Sequence, residues 1–493
     1  MKKSLAIIKE SICFILVQDQ SVNIAHFIDE LGLKAFLSQC IEKAKNLMCP
    51  QLANISLPLS YLAPLGVLHS IDLKKQLHFY LERPVEDFSV LAYGSVNSAT
   101  FSGQDRFQSV KNFADSCLKN IHRYAGDSEH EFYGPHFFNA FAFEDNLSEE
   151  ADFAPATTFL PKWHVFSDSG KYGLVLNVEI NQESDTDTIF DAIEKEYINF
   201  LFFNYEEGKQ NIADFNEQKE AKISGEVYSE SSFEDAVKGA LSEINNQHYQ
   251  KIVLAQKLVL KNDSAVKGIQ YLDRLRERFS ACYIFSFSDG SERSFIGASP
   301  EMLLQVRNNV LMTEAIAGSS SRGKKAIEDA RLGSGLLTSD KNLREHNLVK
   351  ESILRRLNLL GIHGTADENP RLLALANVQH LQTKISAFMD PAVHFLDVAS
   401  ELHPTPAVGG QPREQAVPRI NQLEGFERGL YSGLIGWFND QNEGKMIVGI
   451  RSAQFDEDTI KIYAGAGIVS GSQVDIEKEE ILLKQSAMLS LLE

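Results

Sequence analysis

Acidic side chains near the end of the chain have a spacing that could bind a metal ion. Glu477, Glu480 and Lys484 fall in the stretch VDIEKEEILLKQSAMLSLL, which is predicted to be helical. At about 100° per residue, Glu480 lies about 60° and Lys484 about 20° from Glu477, so the three share one stripe, which Ile481 and Met488 continue. Carboxylates beside apolar neighbours are costly to bury without a cation, and oxygen ligands favour Mg2+ or Ca2+ over zinc. Taken alone, the segment is better explained by a solvated helix face on which Glu480 pairs with Lys484.

A further carboxylate lies on the helix predicted over residues 339–357. Ser339 or Asp340 is a good N-cap. The predicted buried face of this helix carries Val349, Ile353 and Leu357. Glu345 lies one turn earlier on that face, where a carboxylate is unusual, although the helix dipole also favours an acid in the first turn. His346 could bind a metal, but a lone histidine is more often structural.

A lysine and a glutamate could act as base and acid. Lys251 begins the predicted strand KIVLAQK and shares a face with Val253 and Ala255, whereas a lysine at a strand end usually faces solvent. Glu301 follows Pro300 in GASPEML, where a surface turn is the ordinary interpretation. Neither residue predicts an active site without further evidence.

The glycines of YAGAGIVSGS predict a tight turn between a strand and the last helix. Gly465, Gly467 and Gly471 could also form a dinucleotide-binding loop of an oxidoreductase, but their spacing is GxGxxxG. Only 22 residues follow Gly471 in the chain of 493, too few for the remainder of a βαβ unit. We therefore give the nucleotide-binding hypothesis little weight.

The elements that must position these residues mix strands and helices. Residues 205–226 are polar and predict a surface connection, before which HFFNAFAF and YGLVLNVEI are strand-like. After it, strand-like runs alternate with two amphipathic helices, which is typical of an α+β domain. LLQVRNNVLMTEA predicts an antiparallel pair around the turn Asn308-Asn309.

Composition excludes several classes of protein. The 43% hydrophobic and 23% charged residues are typical of a globular protein, and the formal net charge of -19 disfavours nucleic acid as a partner. The five cysteines contain no CxxC pair, which argues against disulfides or structural zinc and favours the cytoplasm. We also predict no signal peptide and no membrane span. An acidic protein that binds an anion needs a metal ion or buried cations.

Together these segments resemble the chorismate-binding enzyme family, in particular isochorismate synthases of the menaquinone and catecholate-siderophore pathways. The resemblance covers about residues 235–490. Its motifs, in order, are KIVLAQ, GASPEMLL, TEAIAGSSSRG, SDKNLREH, VQHL, ELHPTPAVGGQP, ERGLYSGLIGW, GIRSAQ and YAGAGIVSGS. The first half matches only through HFFNAFAFEDN and TFLPKW.

The resemblance implies a magnesium-dependent site. Glu345 and Glu480 would hold Mg2+, with Glu477 in support through water, and the metal would hold the ring carboxylate of chorismate. Lys251 would deprotonate the water that attacks ring C2, and Glu301 would protonate the departing C4 hydroxyl. The residues implied to contact substrate or balance its charge are Gly318, Ser319, His403, Tyr431, Arg451, Gly465 and Lys484.

The resemblance also indicates which of the family's reactions this chain catalyses. Anthranilate synthases are expected to carry glutamine at the position of Lys251, and aminodeoxychorismate synthases often carry lysine in the segment AIAGS, where this chain has Ala317. We therefore expect no glutamine amidotransferase subunit. A salicylate synthase, which goes on to eliminate pyruvate, remains the alternative, and a non-catalytic chorismate or metal binder would not need both Lys251 and Glu301.

The implied fold is α+β, with two antiparallel β-sheets packed as a sandwich and helices outside. We divide the chain into a variable N-terminal region, 1–225, interleaved with the core, and a chorismate-binding catalytic region, 226–493. We expect a cytoplasmic monomer or homodimer.

Overall fold

The computed structural model describes residues 32–71, 73, 75–125, 130–203, 228–229, 232–262, 266–376 and 378–492. The predicted boundary between 1–225 and 226–493 lies outside the described residues. Within those ranges, every helix is too short or too polar to cross a membrane.

Helices cover the outer faces of two β-sheets. The helices are α1 (Leu33–Leu47), α2 (Pro64–Ser70), α3 (Arg106–Leu118), α4 (Thr186–Leu201), α5 (Phe233–Asn245), α6 (Leu272–Arg278), α7 (Ala326–Thr338), α8 (Asp340–Leu359), α9 (Phe395–Leu402), α10 (Arg413–Glu424) and α11 (Val474–Leu492).

The strands follow one another mostly in antiparallel pairs. The strands are β1 (Gln51–Leu59), β2 (Leu77–Arg83), β3 (Phe88–Tyr93), β4 (Asn97–Phe101), β5 (Ile121–Ala125), β6 (His136–Phe141), β7 (Ala156–Leu160), β8 (Trp163–Asp168), β9 (Lys171–Ile180), β10 (Tyr228–Ser229), β11 (Lys251–Lys261), β12 (Tyr283–Asp289), β13 (Ser294–Ser299), β14 (Met302–Arg307), β15 (Val310–Ser321), β16 (Thr365–Ala366), β17 (Arg371–Ala374), β18 (Val378–Phe388), β19 (Gly410–Gln411), β20 (Leu434–Asn439), β21 (Gly444–Val448), β22 (Ser452–Phe455) and β23 (Thr459–Val469).

Both sheets combine strands from the two ends of the chain. The first has the order β10-β11-β23-β22-β13-β12-β2-β3-β8-β9-β1-β5, with β19 beside β11. The second has the order β16-β18-β15-β14-β21-β20-β6-β7-β4, with β17 beside β18. The β1–β5 pair is parallel and the other pairs are antiparallel. The predicted α+β fold with two antiparallel sheets is confirmed.

Apolar side chains fill the space between the sheets. Phe79 of β2 and Phe138 of β6, one from each sheet, have ring centroids 4.9 Å apart, and both rings are buried. Tyr283, Phe285 and Trp437 belong to the same cluster. Full burial of such a side chain stabilises the fold by about 1.5–3 kcal/mol. This layer fixes the sheets relative to each other.

The helix that carries Glu345 forms as its sequence predicts. The Ser339 side chain caps α8 by accepting a hydrogen bond from the Asn342 amide. Its apolar face packs in one buried cluster with residues of β15. That face consists of Val349, Ile353 and Leu357. Glu345 is thereby held at the end of the buried face of α8.

The glycine turn before the last helix is predicted wrongly in part. Gly465 and Gly467 lie inside β23, where they pair with Ala255 and Val253 of β11, and the left-handed turn begins only at Gly471, with φ 88°. Strand pairing with β11 extends to Val469, so these glycines do not form a phosphate-binding loop. The Asn308-Asn309 turn between β14 and β15 is confirmed, and both residues have positive φ.

Candidate active site

Most of the residues that the sequence singled out line one cavity. It is lined from the first sheet by β11 and β23, from the second by β15 and β18, and from outside by α8 and α11. The predicted residues in its wall are Lys251, Glu301, Gly318, Ser319, Glu345, Tyr431, Arg451, Gly465, Glu480 and Lys484. We call this space the active-site cavity.

Lys251 and Glu345 meet across the cavity. Lys251 is buried, and its Nζ lies 2.9 Å from Oε1 of Glu345. This contact requires a glycine on β23, since a Cβ at Gly467 would lie 2.6 Å from Glu345 Oε1 and 3.1 Å from Lys251 Cε. Lys251 therefore does not face solvent, unlike most lysines at the end of a strand.

Glu301 is a buried acid. Its pKa is raised to about 8, chiefly by burial and then by the Glu314 carboxylate, while the ammonium groups of Lys251 and Lys484 oppose the increase. Glu314 is itself held by the Met302 amide and the Gln382 side chain, at 3.1 and 2.5 Å. Because the shifted pKa lies above 7, Glu301 is mostly protonated at neutral pH and can donate a proton.

Glu480 is an ionised carboxylate beside a cation. Burial alone would raise the pKa of Glu480, but the Lys484 ammonium and a hydrogen bond with Ser319 bring it below the ordinary value. Lys484 Nζ lies 2.6 Å from Glu480 Oε1 and 2.6 Å from the Gly465 carbonyl oxygen. The predicted pairing at i,i+4 therefore occurs, but in the cavity wall rather than on a solvated face.

His380 is a cavity residue that the sequence reasoning missed. Its Nε2 lies 3.1 Å from Nη2 of Arg451, and its Nδ1 lies 3.1 Å from Oγ of Ser319. Because arginine can only donate, Nε2 must accept and Nδ1 must carry the proton. The pKa of His380 is lowered to about 3, chiefly by burial and then by the positive charges of Arg451 and Lys484, so the ring stays neutral. The motif VQHL was the available signal in the sequence, whereas the pairing of His380 with Ser319 across β18 and β15 is seen only in the fold.

Two predicted residues lie outside the cavity wall. Glu477 is buried one turn before Glu480 on α11, where it pairs with Lys341 at 3.2 Å instead of lining the cavity. His403 is buried against the rings of Phe107 and Phe143, with centroids 6.5 and 6.1 Å away. A direct role for either residue therefore lacks support in this geometry.

His346 has a structural role, as is usual for a lone histidine. The ring is buried, and its Nε2 lies 2.7 Å from Oγ1 of Thr383. It does not line the active-site cavity. Glu345, the next residue, faces the cavity instead.

The cavity's donor set fits a hard divalent cation. Glu345 and Glu480 reach the same space from two helices, and each carboxylate is held by a lysine ammonium. Mg2+ keeps several waters and is typically bound through one or two carboxylates together with substrate oxygens. Among the described residues, no group of three or more acidic, histidine or cysteine side chains is arranged around a metal position. The two carboxylates of the cavity match the ligand type that Mg2+ prefers.

Comparison with known proteins places the chain among chorismate enzymes. The family described as chorismate binding enzyme matches residues 35–493. Isochorismate synthase MenF of Bacillus subtilis is 28% identical over 462 residues, which are 92% of this chain and 96% of that protein. The salicylate biosynthesis isochorismate synthase of Pseudomonas aeruginosa is 38% identical over 256 residues, about half of each chain, at 52% and 53%.

Solved structures of this family have the same fold as this chain. The menaquinone-specific isochorismate synthase MenF of Escherichia coli has a TM-score of 0.72 at 26% identity, covering 93% of this chain and 100% of that one. Anthranilate synthase component I from Streptococcus pneumoniae shares the fold, with a TM-score of 0.65 at 20% identity. The predicted family is confirmed.

Proposed function

We propose that this chain, which belongs to the chorismate-binding enzyme family, is an isochorismate synthase that converts chorismate reversibly to isochorismate in the presence of Mg2+. The observation that carries the proposal is that Lys251 and the buried acid Glu301, whose pKa is raised to about 8, line the same cavity. The reaction adds water at ring C2 and removes the hydroxyl from C4. It therefore needs one group that accepts a proton and one that donates a proton.

Glu301 supplies the proton for the leaving hydroxyl. A C4–O bond breaks more easily when the departing oxygen is protonated, and general acids of this kind contribute about 10²–10⁴-fold. Its carboxyl keeps the proton up to about pH 8 because the surroundings penalise the charged form. The same group receives a proton back in the reverse reaction.

Lys251 accepts the proton of the attacking water, which requires that the ammonium paired with Glu345 first gives up its own proton. Its amine sits on β11, where strand pairing with β23 on one side and β19 on the other fixes the backbone. Glu345 holds the Nζ at 2.9 Å and so aims it into the cavity. The ammonium formed after proton transfer is stabilised by the same carboxylate.

Glu345 and Glu480 would hold the Mg2+. When bound, the ion would supply positive charge for a substrate carboxylate and compete with Lys251 and Lys484 for the two glutamates. Chorismate has two carboxylates, and a protein of net charge -19 otherwise repels them at long range. The ring carboxylate is assigned to this end of the cavity.

Arg451 and Tyr431 would hold the other carboxylate, on the enolpyruvyl group. Both side chains are buried and line the cavity. Tyr431 stacks on Tyr463, with ring centroids 5.0 Å apart and planes inclined by 12°, which fixes its hydroxyl. Burial raises the pKa of Tyr431 to about 12, so the phenol remains a hydrogen-bond donor.

A product assay tests the proposal. Purified protein incubated with chorismate and Mg2+ should form isochorismate without pyruvate, as followed by chromatography, and chelation of the metal should stop the reaction. Lys251→Ala and Glu301→Gln should each remove turnover, while Glu368→Gln, at an exposed position, should leave it unchanged. Equal release of pyruvate and salicylate would establish salicylate synthase instead. Unchanged chorismate, with binding retained, would establish a binder.

A further inference from the structure

The strand that carries Lys251 lacks a neighbouring strand on one side for part of its length. β11 pairs with β23 from end to end. On its other side, β19 pairs with Lys251 and Ile252, and β10 pairs only with Leu258 and Val259. Among the described residues, no strand pairs with Val253 or Ala255 on that side. The Val253 carbonyl and the Ala255 amide nevertheless face that side and need hydrogen-bond partners.

A buried ion pair takes the place of the missing strand. Arg428 Nη2 donates to the Val253 carbonyl oxygen at 2.9 Å, and the Ala255 amide donates to Glu424 Oε1 at 2.7 Å. The two side chains bind each other through two contacts, at 2.5 and 3.0 Å, and neither is exposed to solvent. The ion pair thus supplies a donor to the Val253 carbonyl and an acceptor to the Ala255 amide.

The same arginine reaches two other parts of the active-site cavity. Its Nη1 donates to the Val408 carbonyl oxygen at 2.8 Å, and its guanidinium lies over the ring of Tyr431, 5.8 Å from the ring centroid. Val253, Val408 and Tyr431 all line the cavity. Arg428 therefore links β11, which carries Lys251, to the loop at Val408 and to Tyr431, the proposed contact to substrate.

We propose that the Glu424–Arg428 ion pair is a positioning element that sets the place of Lys251 relative to Tyr431 and Val408. The expected effect of this ion pair on kinetics rests on the proposed function, because it assumes that the protein turns over chorismate. A buried ion pair adds little net stability compared with apolar residues, so geometric specificity is the better explanation for keeping it. The planar guanidinium holds two carbonyls and a carboxylate at fixed angles, which a lysine ammonium does not reproduce.

The test compares variants that keep the fold and lose this geometry. Arg428→Lys keeps the charge, and the double variant Glu424→Met with Arg428→Met removes both charges so that no unpaired ion remains buried. We expect each folded variant to lose about tenfold to a hundredfold in kcat/KM, since a shift of about 1 Å at a reacting group costs that much. KM for chorismate should rise through Tyr431 and kcat should fall through Lys251.

Arg356→Lys is the matched control. Arg356 is also buried and pairs with Glu401 at 2.6 Å and with Glu414 at 3.1 Å, but neither partner lines the cavity. This variant should keep wild-type kcat and KM. Wild-type kinetics in folded Arg428→Lys or in the double variant would overturn the proposal, as would an equal loss in the control.

Two measurements separate this proposal from the proposed function and from simple misfolding. If wild-type protein has no isochorismate synthase activity, calorimetric titration with chorismate still compares the variants, and unchanged affinity and enthalpy would refute the positioning role. Hydrogen exchange on wild-type protein tests the premise without any variant. The Ala255 amide should exchange as slowly as that of Val253, which donates to the Gly409 carbonyl at 2.7 Å. Fast exchange at Ala255 would overturn the proposal even if both variants fail to fold.

Discussion

Glu301→Gln should make the protein inactive and more stable at the same time. The glutamine has nearly the same shape but needs no proton to be neutral. In the folded protein the pKa of Glu301 is raised from 4.5 to about 8 by burial and by Glu314. Between these two values the folded state keeps a proton that the unfolded state releases, so the stability of the wild-type protein falls as pH rises.

The size of the effect follows from the shift. Each pKa unit corresponds to about 1.4 kcal/mol, so retaining the proton at pH 7 costs the wild-type protein about 3 kcal/mol. Glu301 is only 4% exposed, so solvent screens little of this cost. The variant should therefore gain about 3 kcal/mol over wild type at pH 7 and almost nothing near pH 4.5. Its kcat should fall by on the order of 10²-fold or more, because the proton donor is lost.

Urea unfolding of both proteins at pH 5, 6, 7 and 8 measures the difference in free energy of unfolding. Glu368→Gln, an exposed substitution, serves as the control and should show no pH-dependent gain. A stability difference that does not change with pH would refute the assigned pKa. Full activity in Glu301→Gln would refute its role as the acid, whatever the stability.

Three other substitutions test separate parts of the site. Lys251→Ala should retain chorismate binding in calorimetry but lose at least about 10²-fold in kcat, and loss of binding with no change in kcat would contradict its role as the base. Gly467→Ala should disrupt the contact between Lys251 and Glu345 and reduce kcat strongly, since its Cβ would lie 2.6 Å from the carboxylate oxygen. If its crystal structure kept that contact unchanged, the steric argument would be wrong. His380→Phe should raise KM by about tenfold by freeing Arg451, and the ratio to wild type should stay constant from pH 5 to 8, because the pKa of His380 is about 3. A ratio that changed with a midpoint near pH 6.5 would refute the neutral state of the ring.

Local patterns predicted much of the fold. The cap at Ser339 and the apolar face of α8 placed that helix, and the Asn308-Asn309 turn placed an antiparallel pair. Both depend on interactions between residues close in sequence, which the sequence specifies directly. Gly467 shows where this fails: alone it indicates a turn, whereas its partners across the sheet keep it in a strand.

The sequence by itself determined the kinds of group available: a lysine at the start of a strand, a glutamate after Pro300, and carboxylates on two helices. Their motifs also indicated the family. Only the tertiary structure decided which groups meet, because Lys251 and Glu345 are 94 residues apart and lie 2.9 Å from each other only when β11 and α8 reach one cavity. It also decided the protonation of Glu301, since burial and a second carboxylate act through space. The same holds for His380 and Arg428. Their hydrogen bonds join segments that are far apart in sequence, and no local pattern predicts that these segments meet.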